Sequence, residues 1–273
     1  MNRPEVEAQY STGLSRRNIE RAFARAGILL EDLRPADLGP LEDFHTSGRI
    51  ATSELADLAG INDRDRILDA GSGIGGTARF LANAYGCTVT ALDLTEEYCE
   101  TSRWLNGLVG LDTLITVRQG DVADLPFDEA SFDVVVSQHV QMNVPDKAKL
   151  YGQARRVLAT GGRLAIWDVT AGEPGPVAYP LPWADGPGRS YLVSAGELQA
   201  AIEAAGFTVD HWNDRSADSA AFMEHFLSTP PGPLGLHAFV ENFSDKATNL
   251  VRGLSSRSLR VIQATATASA TAG

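Results

Sequence analysis

The sequence predicts an α/β fold built on a mostly parallel sheet of seven strands. Three observations carry this. An apolar strand, Ile67-Leu68-Asp69-Ala70, turns through the glycine-rich Gly71-Ser72-Gly73-Ile74-Gly75-Gly76 into a helix. From Arg66 onward, apolar strand-length runs alternate with helical stretches, a rhythm that demands parallel strands joined by right-handed crossovers. Asp69, Asp93, Asp121 and Ser137 stand at the ends of four expected strands, so polar groups converge on one rim of the sheet.

The elements follow in order. Residues 5–27 read as a helix with Ile19, Ala22, Phe23 and Ala26 on one face, ended by Gly27. Pro35, Gly39 and Pro40 mark an irregular connection. A second helix is expected over 47–59, with Ile50, Leu55 and Leu58 turned inward. Strands are expected near 66–70, 87–92, 114–118, 132–138 and 162–168, with helices near 75–85, 95–109 and 146–159 between them. Thr95 suits the N-cap of the second of these helices, and Gly161-Gly162 separates the third from the fifth strand. Residues 171–193 carry five prolines among glycines and Tyr179, Trp183 and Tyr191, the composition of a long lid or binding loop. A helix near 194–205 and a strand near 207–213 resume the alternation. Residues 215–256 read as a helical insertion broken by Pro230, Pro231 and Pro233, before a last strand near 258–264. The Ala/Thr tail from about Thr265 is expected to fray. The division expected is an N-terminal helical lid (1–60), a core (61–213 and 257–267) with its lid loop (171–193), a helical cap (214–256) and a flexible tail (268–273).

Composition narrows the function classes. The net charge of −12 disfavours nucleic acid, whose binders need basic patches. Arg16, Arg17, Arg21 and Arg25 read as one solvated helix face. No apolar run reaches membrane-spanning length, and the N-terminus lacks a secretory pattern, so a cytoplasmic location is expected. Cys87 and Cys99 are too few for a disulfide framework, and no zinc-type spacing exists. The expected partner is a small molecule, with neither membrane nor nucleic acid. An N-terminal helix outside the sheet also leaves room for exchange between subunits of a homo-oligomer.

The glycine loop reads as a cradle for a nucleotide-type cofactor, because it leads into a helix whose first N–H groups are unpaired. It satisfies the dinucleotide pattern G-x-G-x-x-G, and Asp93 follows twenty positions after Gly73, where a carboxylate accepts from ribose hydroxyls. Asp69 discriminates between cofactors. A carboxylate beside the turn repels a diphosphate and attracts an ammonium or sulfonium group. S-adenosylmethionine carries both and has no phosphate.

With Gly120-Asp121, Leu125-Pro126-Phe127 and Ser131-Phe132-Asp133-Val134-Val135-Val136 following in order, the chain resembles the class I S-adenosylmethionine-dependent methyltransferases. That resemblance implies a Rossmann-like core and assigns roles by position. The Gly71, Ser72, Gly73 and Gly75 loop would hug the methionine part, with Asp69 near its amino group. Asp93 would hold the ribose and Leu94 would flank the adenine. Asp121 would accept from the adenine amino group, with Val122 beside it. Gln138 and His139 would stand on the sulfonium side, Ser137 at the end of its strand is counted with the cofactor-binding residues, and no metal is required.

The segment Gln138-His139-Val140-Gln141-Met142-Asn143-Val144-Pro145-Asp146-Lys147 and the upstream Asp43-Phe44-His45-Thr46-Ser47-Gly48-Arg49 narrow the resemblance. They are similar to the sarcosine/dimethylglycine N-methyltransferase group and its natural-product relatives. Ser47 is counted with the cofactor-binding residues on this ground. His139 is the leading catalytic candidate, as a base near neutral pH or as a group that positions the acceptor. The related phosphoethanolamine methyltransferases pair a histidine here with an N-terminal tyrosine, which makes Tyr10 the candidate partner. Trp167, Asp168, Tyr179, Trp183 and Phe222 are candidates for enclosing the acceptor, since aromatic faces take both cations and flat apolar groups. Phe222, Met223 and Phe226 at helical spacing also suit a core face. No Arg or Lys motif for an acceptor carboxylate stands out.

The expected activity is methyl transfer from S-adenosylmethionine to a nitrogen or oxygen of a small amine or natural product. Three alternatives stay open: C-methylation of an electron-rich alkene or aromatic, pericyclic or decarboxylative chemistry with the cofactor as a structural element, and an NAD-dependent oxidoreductase.

Overall fold

A computed structural model describes residues 10, 13–42 and 45–269. Seven strands form one sheet: β1 (Arg66–Ala70), β2 (Thr88–Asp93), β3 (Ile115–Gln119), β4 (Phe132–Gln138), β5 (Leu158–Ala171), β6 (Phe207–Asp214) and β7 (Leu259–Ala268). Their order is β3-β2-β1-β4-β5-β7-β6. The first five run parallel, and β7 is antiparallel to both β5 and β6. Order reverses between β1 and β4, which opens a crevice beyond their carboxyl ends, where ligands of such sheets bind.

Helices α1 (Ser15–Ala26) and α2 (Gly48–Leu58) precede the sheet. Four more connect its strands: α3 (Gly76–Tyr85), α4 (Glu96–Leu108), α5 (Lys147–Val157) and α6 (Ala195–Ala204). The insertion between β6 and β7 holds α7 (Ser216–Ser228) and α8 (Phe243–Ser255). No helix among the described residues is long and apolar enough to cross a membrane. Two apolar clusters fill the two faces of the sheet. A third joins Ile19 and Phe23 of α1 to Ile74 of the glycine loop, Leu105 of α4 and Phe239 of the insertion. Alpha-helix α1 is also tied down by Glu97, whose two carboxylate oxygens accept from the N–H groups of Gly13 (2.6 Å) and Ser15 (2.7 Å). These bonds satisfy donors at the helix start that lack partners within the helix.

Several expectations are corrected. The tail expected to fray from Thr265 is strand through Ala268, because β7 lies between β5 and β6 and both ladders fix it. Ala264, Ala266 and Ala268 face one core, and the intervening threonines favour an extended backbone. Residues 270–273 of that tail, and residues 5–9, 11 and 12 of the first expected helix, lie outside the described residues. Strand β5 begins at Leu158 rather than near 162, with an irregular register around Gly161-Gly162 in place of a helix-to-strand loop. Beta-strand β5 also runs three residues past Asp168, because β7 pairs with it as far as Ala171. Ile50 is exposed, not inward, while Leu55 is buried as expected. Thr95 stands at the N-cap of α4 without a capping bond from its side chain.

Two glycines of the loop are required sterically. Gly71 has φ +86°, and a Cβ there would come within 2.4 Å of Val140, on the turn after β4. Gly75 has φ +87°, and a Cβ there would meet Ser102 at 2.3 Å and Arg79 at 2.9 Å. Both positions need the left-handed region that glycine reaches without strain. Behind the loop, Arg79 and Glu42 form a fully buried ion pair. Arg79 also donates to Asn106 Oδ1 (2.8 Å) and to the carbonyl of Ile74 (2.7 Å), and Glu42 also pairs with Arg49 (2.8 Å). One guanidinium thus clamps the N-terminal segment, the glycine loop and α4 together.

Candidate active site

A cavity opens where the crevice between β1 and β4 predicts it. Asp69, Gly71, Ser72 and Gly73 line it from the first strand and its loop. Asp93 and Leu94 line it from the end of β2, and Asp121 and Val122 from the segment after β3. Gln138, His139 and Tyr10 complete the set of sequence-expected residues on its wall. Gly75, Ser137 and Ser47 do not line it. Gly75 acts through the close approach to Ser102, Ser137 is buried within β4, and Ser47 is buried 3.3 Å from Ser219 Oγ.

The acidic groups are oriented by backbone donors. Asp93 Oδ2 accepts from Gly73 N–H (2.8 Å) and its Oδ1 from Thr95 N–H (2.9 Å). Burial still raises its carboxyl above the usual range. Asp121 Oδ1 accepts from Ala123 N–H (2.8 Å), which shapes the turn that faces the cavity. Burial and the neighbouring Asp93 carboxylate raise Asp69 to about 7. Asp69 Oδ2, Ser72 Oγ and Gln138 Nε2 are buried and have no protein partner, although all three residues line the cavity. Gln138 is held by its other end: Oε1 accepts from Thr77 (2.9 Å) and Thr52 (3.4 Å).

His139 follows β4 with φ +55°, a left-handed conformation that costs energy in a residue other than glycine. Its own N–H donates to Trp167 O (2.9 Å). The next two amides are held by Asp168, whose Oδ2 accepts from Val140 (3.2 Å) and Gln141 (3.1 Å). Lys147 Nζ donates to the carbonyls of Gln141 (2.6 Å) and Tyr191 (2.7 Å), which ties this turn to the loop after β5. Burial raises Asp168 to about 7 and lowers Lys147 to about 8.

The imidazole of His139 meets the N-terminal segment. Thr46 N–H donates to Nε2 (3.3 Å), and Thr46 Oγ1 lies 3.3 Å from the same nitrogen. An amide N–H only donates, so Nε2 is unprotonated and the neutral ring carries its hydrogen on Nδ1. Trp167 Nε1 donates to Thr46 Oγ1 (2.9 Å), which leaves the Thr46 hydroxyl hydrogen free to point at His139. Burial, with His45 nearby, lowers the His139 pKa well below 6.5, so the ring is neutral at pH 7. Tyr10 is separate from this chain: its hydroxyl donates to Asn143 Oδ1 (3.1 Å), and its ring packs 6.1 Å from Tyr98. Burial raises the Tyr10 phenol well above 10.

A second cavity adjoins the first, and His45 and His139 line both. Phe222, Met223 and Phe226 of α7 line it, so the side chains whose spacing also suited a core border a cavity. The other acceptor candidates lie elsewhere. Trp167 is fully buried under Thr46, and Asp168 is a backbone anchor inside the sheet. Trp183 is buried with its N–H on Ser190 Oγ (2.9 Å), and Tyr179 packs against the core of one sheet face. Trp167 and Asp168 look like strand-end residues only if β5 stops at 168; its pairing with β7 carries them into the sheet. Sequence reasoning missed Asn143, Tyr98 and Phe239 on the cofactor-side wall, and Leu236, Phe243 and Leu250 in the second cavity.

Residues 68–166 match the family model described as a methyltransferase domain. A sarcosine/dimethylglycine N-methyltransferase of Halorhodospira halochloris is 42% identical over 37% of this chain and 37% of its own length. A glycine/sarcosine/dimethylglycine N-methyltransferase of Actinopolyspora halophila is 37% identical over 49% of this chain and 24% of its own. The matched stretch is thus under two-fifths of either relative. Among solved structures, the geranyl diphosphate C-methyltransferase of Streptomyces coelicolor A3(2), crystallised with S-adenosyl-L-homocysteine, superposes with a TM-score of 0.67 over 81% of this chain and 77% of that one, at 18% identity. Residues 68–166 thus match a methyltransferase domain, and the chain has the fold of the class I methyltransferases.

Proposed function

We propose that the protein transfers a methyl group from S-adenosylmethionine to a nitrogen or oxygen of a small molecule. The observation that carries this reading is the trio of buried, partnerless atoms on the cavity wall, Asp69 Oδ2, Ser72 Oγ and Gln138 Nε2. Each such atom costs about 1–3 kcal/mol until something bonds it. An amino-acid end fits them: its ammonium faces Asp69, and its carboxylate accepts from the hydroxyl and the amide. A diphosphate would instead meet two carboxylates, Asp69 and Asp93.

Asp93 is then the ribose acceptor, with its orientation set by Gly73 and Thr95. Leu94 and Val122 flank the adenine, and Asp121 takes a hydrogen bond from it. When bound, the cofactor would supply an electrophilic methyl to the acceptor's lone pair, with the carbon–sulfur pair returning to sulfur and the acceptor's proton passing to solvent as the products leave. The chain's part is alignment, which lowers the barrier of an in-line displacement. His139 stands between the two cavities and offers its Nδ1–H as a fixed donor that orients the acceptor. Tyr10 covers the cofactor through Asn143. The segment before β1, the loop 171–193 and the cap 214–256 act as covers that exclude water.

The pH dependence of binding tests the assignment of Asp69. Its carboxyl is raised to about 7, and a ligand ammonium favours the ionised form. Affinity therefore rises as pH climbs through 7 and levels above it. At pH 6 about one carboxyl in ten is ionised, so S-adenosylhomocysteine should bind about tenfold more weakly than at pH 8. Calorimetry at the two pH values measures this directly. Asp69→Asn should bind more weakly and lose the pH dependence; a tenfold change that persists in this variant would assign it to another group.

A further inference from the structure

The second cavity is a chamber beside the cofactor cavity, and the two share His45 and His139. Its walls are Pro182, the aromatic and thioether side chains of α7, and Leu236, Phe243, Ala247 and Leu250 of the insertion. Among the described residues no Lys, Arg, Asp or Glu lines it. Its polar groups, His45, Thr46 and His139, come from the side that adjoins the cofactor cavity. Phe226, on the cavity wall, is 43% exposed and packs edge-on against Phe243 at 6.0 Å.

Three basic groups on the flanking elements are paired elsewhere. Arg49 pairs with Glu42, Arg215 with Glu54, and Lys246 with Asp185. A carboxylate placed in the chamber would lose its hydration and meet no Lys or Arg among the described lining residues. A hydrocarbon body would gain from every apolar wall.

We propose that this chamber binds an uncharged, predominantly hydrocarbon acceptor with a single hydroxyl or amine, and presents that group at the His45–His139 wall. The zwitterionic substrates named for the two curated relatives are excluded by the same walls. This rests on the methyl-transfer reading for what happens at the wall, but the chamber's preference can be measured without turnover.

The test uses the full chain saturated with S-adenosylhomocysteine. Binding of 1-naphthol, a neutral apolar compound with one hydroxyl, is compared with binding of sarcosine by calorimetry. The chamber predicts that 1-naphthol binds and sarcosine does not. Phe222→Asp, at a half-buried wall position, should weaken 1-naphthol binding at least about tenfold by placing a charge in the wall. Phe226→Asp, at an exposed wall position, gives a second variant that does not disturb the core. Retained binding of S-adenosylhomocysteine reports that each variant is folded. Tighter binding of sarcosine, no binding of 1-naphthol, or unchanged 1-naphthol affinity in both variants would overturn the proposal. If the wild-type chain bound 1-naphthol with these mutational effects but no S-adenosylhomocysteine, the methyl-transfer reading would fail while the chamber's preference stood.

Discussion

His139→Ala lowers turnover by about 10²- to 10³-fold at saturating cofactor, while affinity for S-adenosylhomocysteine stays within a few-fold. The magnitude follows from what a misplaced acceptor costs an in-line displacement. His139→Asn separates positioning from proton abstraction. Asparagine tolerates the left-handed backbone that His139 occupies at φ +55°, and it keeps an N–H donor. It should therefore retain at least about tenfold more activity than alanine, whose Cβ is strained there. A histidine acting as base would leave both variants equally inactive. The pH profile gives the same distinction. The His139 pKa lies well below 6.5, so turnover of the wild type at saturating cofactor should show no limb from this group between pH 6.5 and 8. A limb in that window that vanished in His139→Asn would identify a titrating base.

Arg79→Met destabilises the protein by about 3–5 kcal/mol, the usual result of leaving one member of a buried ion pair alone. Glu42 would keep its bond to Arg49 but lose the partner that is buried with it. The carbonyl of Ile74 and the side chain of Asn106 would lose donors as well. Because Ile74 belongs to the glycine loop, the loss should reach the cofactor site and weaken S-adenosylhomocysteine binding too. Urea unfolding of the wild type, Arg79→Met and Arg79→Met/Glu42→Leu measures the coupling. The double variant should recover part of the loss, since neither charge is then left alone. A single-variant loss under about 1 kcal/mol would mean that the pair is not the clamp described.

What the sequence reveals of this site depends on how local each signal is. Asp69, Asp93 and Asp121 are legible because strand, carboxylate and turn are adjacent in sequence. The parallel rhythm alone then brings them to one rim. Thr46 is not legible in its role. Its bonds to His139 and Trp167 span about a hundred residues and depend on how the N-terminal segment docks. The insertion is ambiguous for another reason. Phe222, Met223 and Phe226 have the period of a buried helix face, and a core and an apolar chamber ask for the same period. Asp168 misleads because the end of β5 is decided by β7, nearly a hundred residues later. The Glu42–Arg79 pair leaves no sequence trace, since an acid and a base separated by 37 positions do not announce a contact.

The central claim is that the cavity at the head of β1 takes a ligand with an ammonium group and no phosphate. Calorimetric titration of the wild-type chain at pH 8 with S-adenosylhomocysteine, and separately with NADH, tests it most directly. The account predicts saturable binding of S-adenosylhomocysteine, lost or sharply weakened in Asp69→Asn, and no measurable heat with NADH. Tight binding of NADH with none of S-adenosylhomocysteine would contradict it.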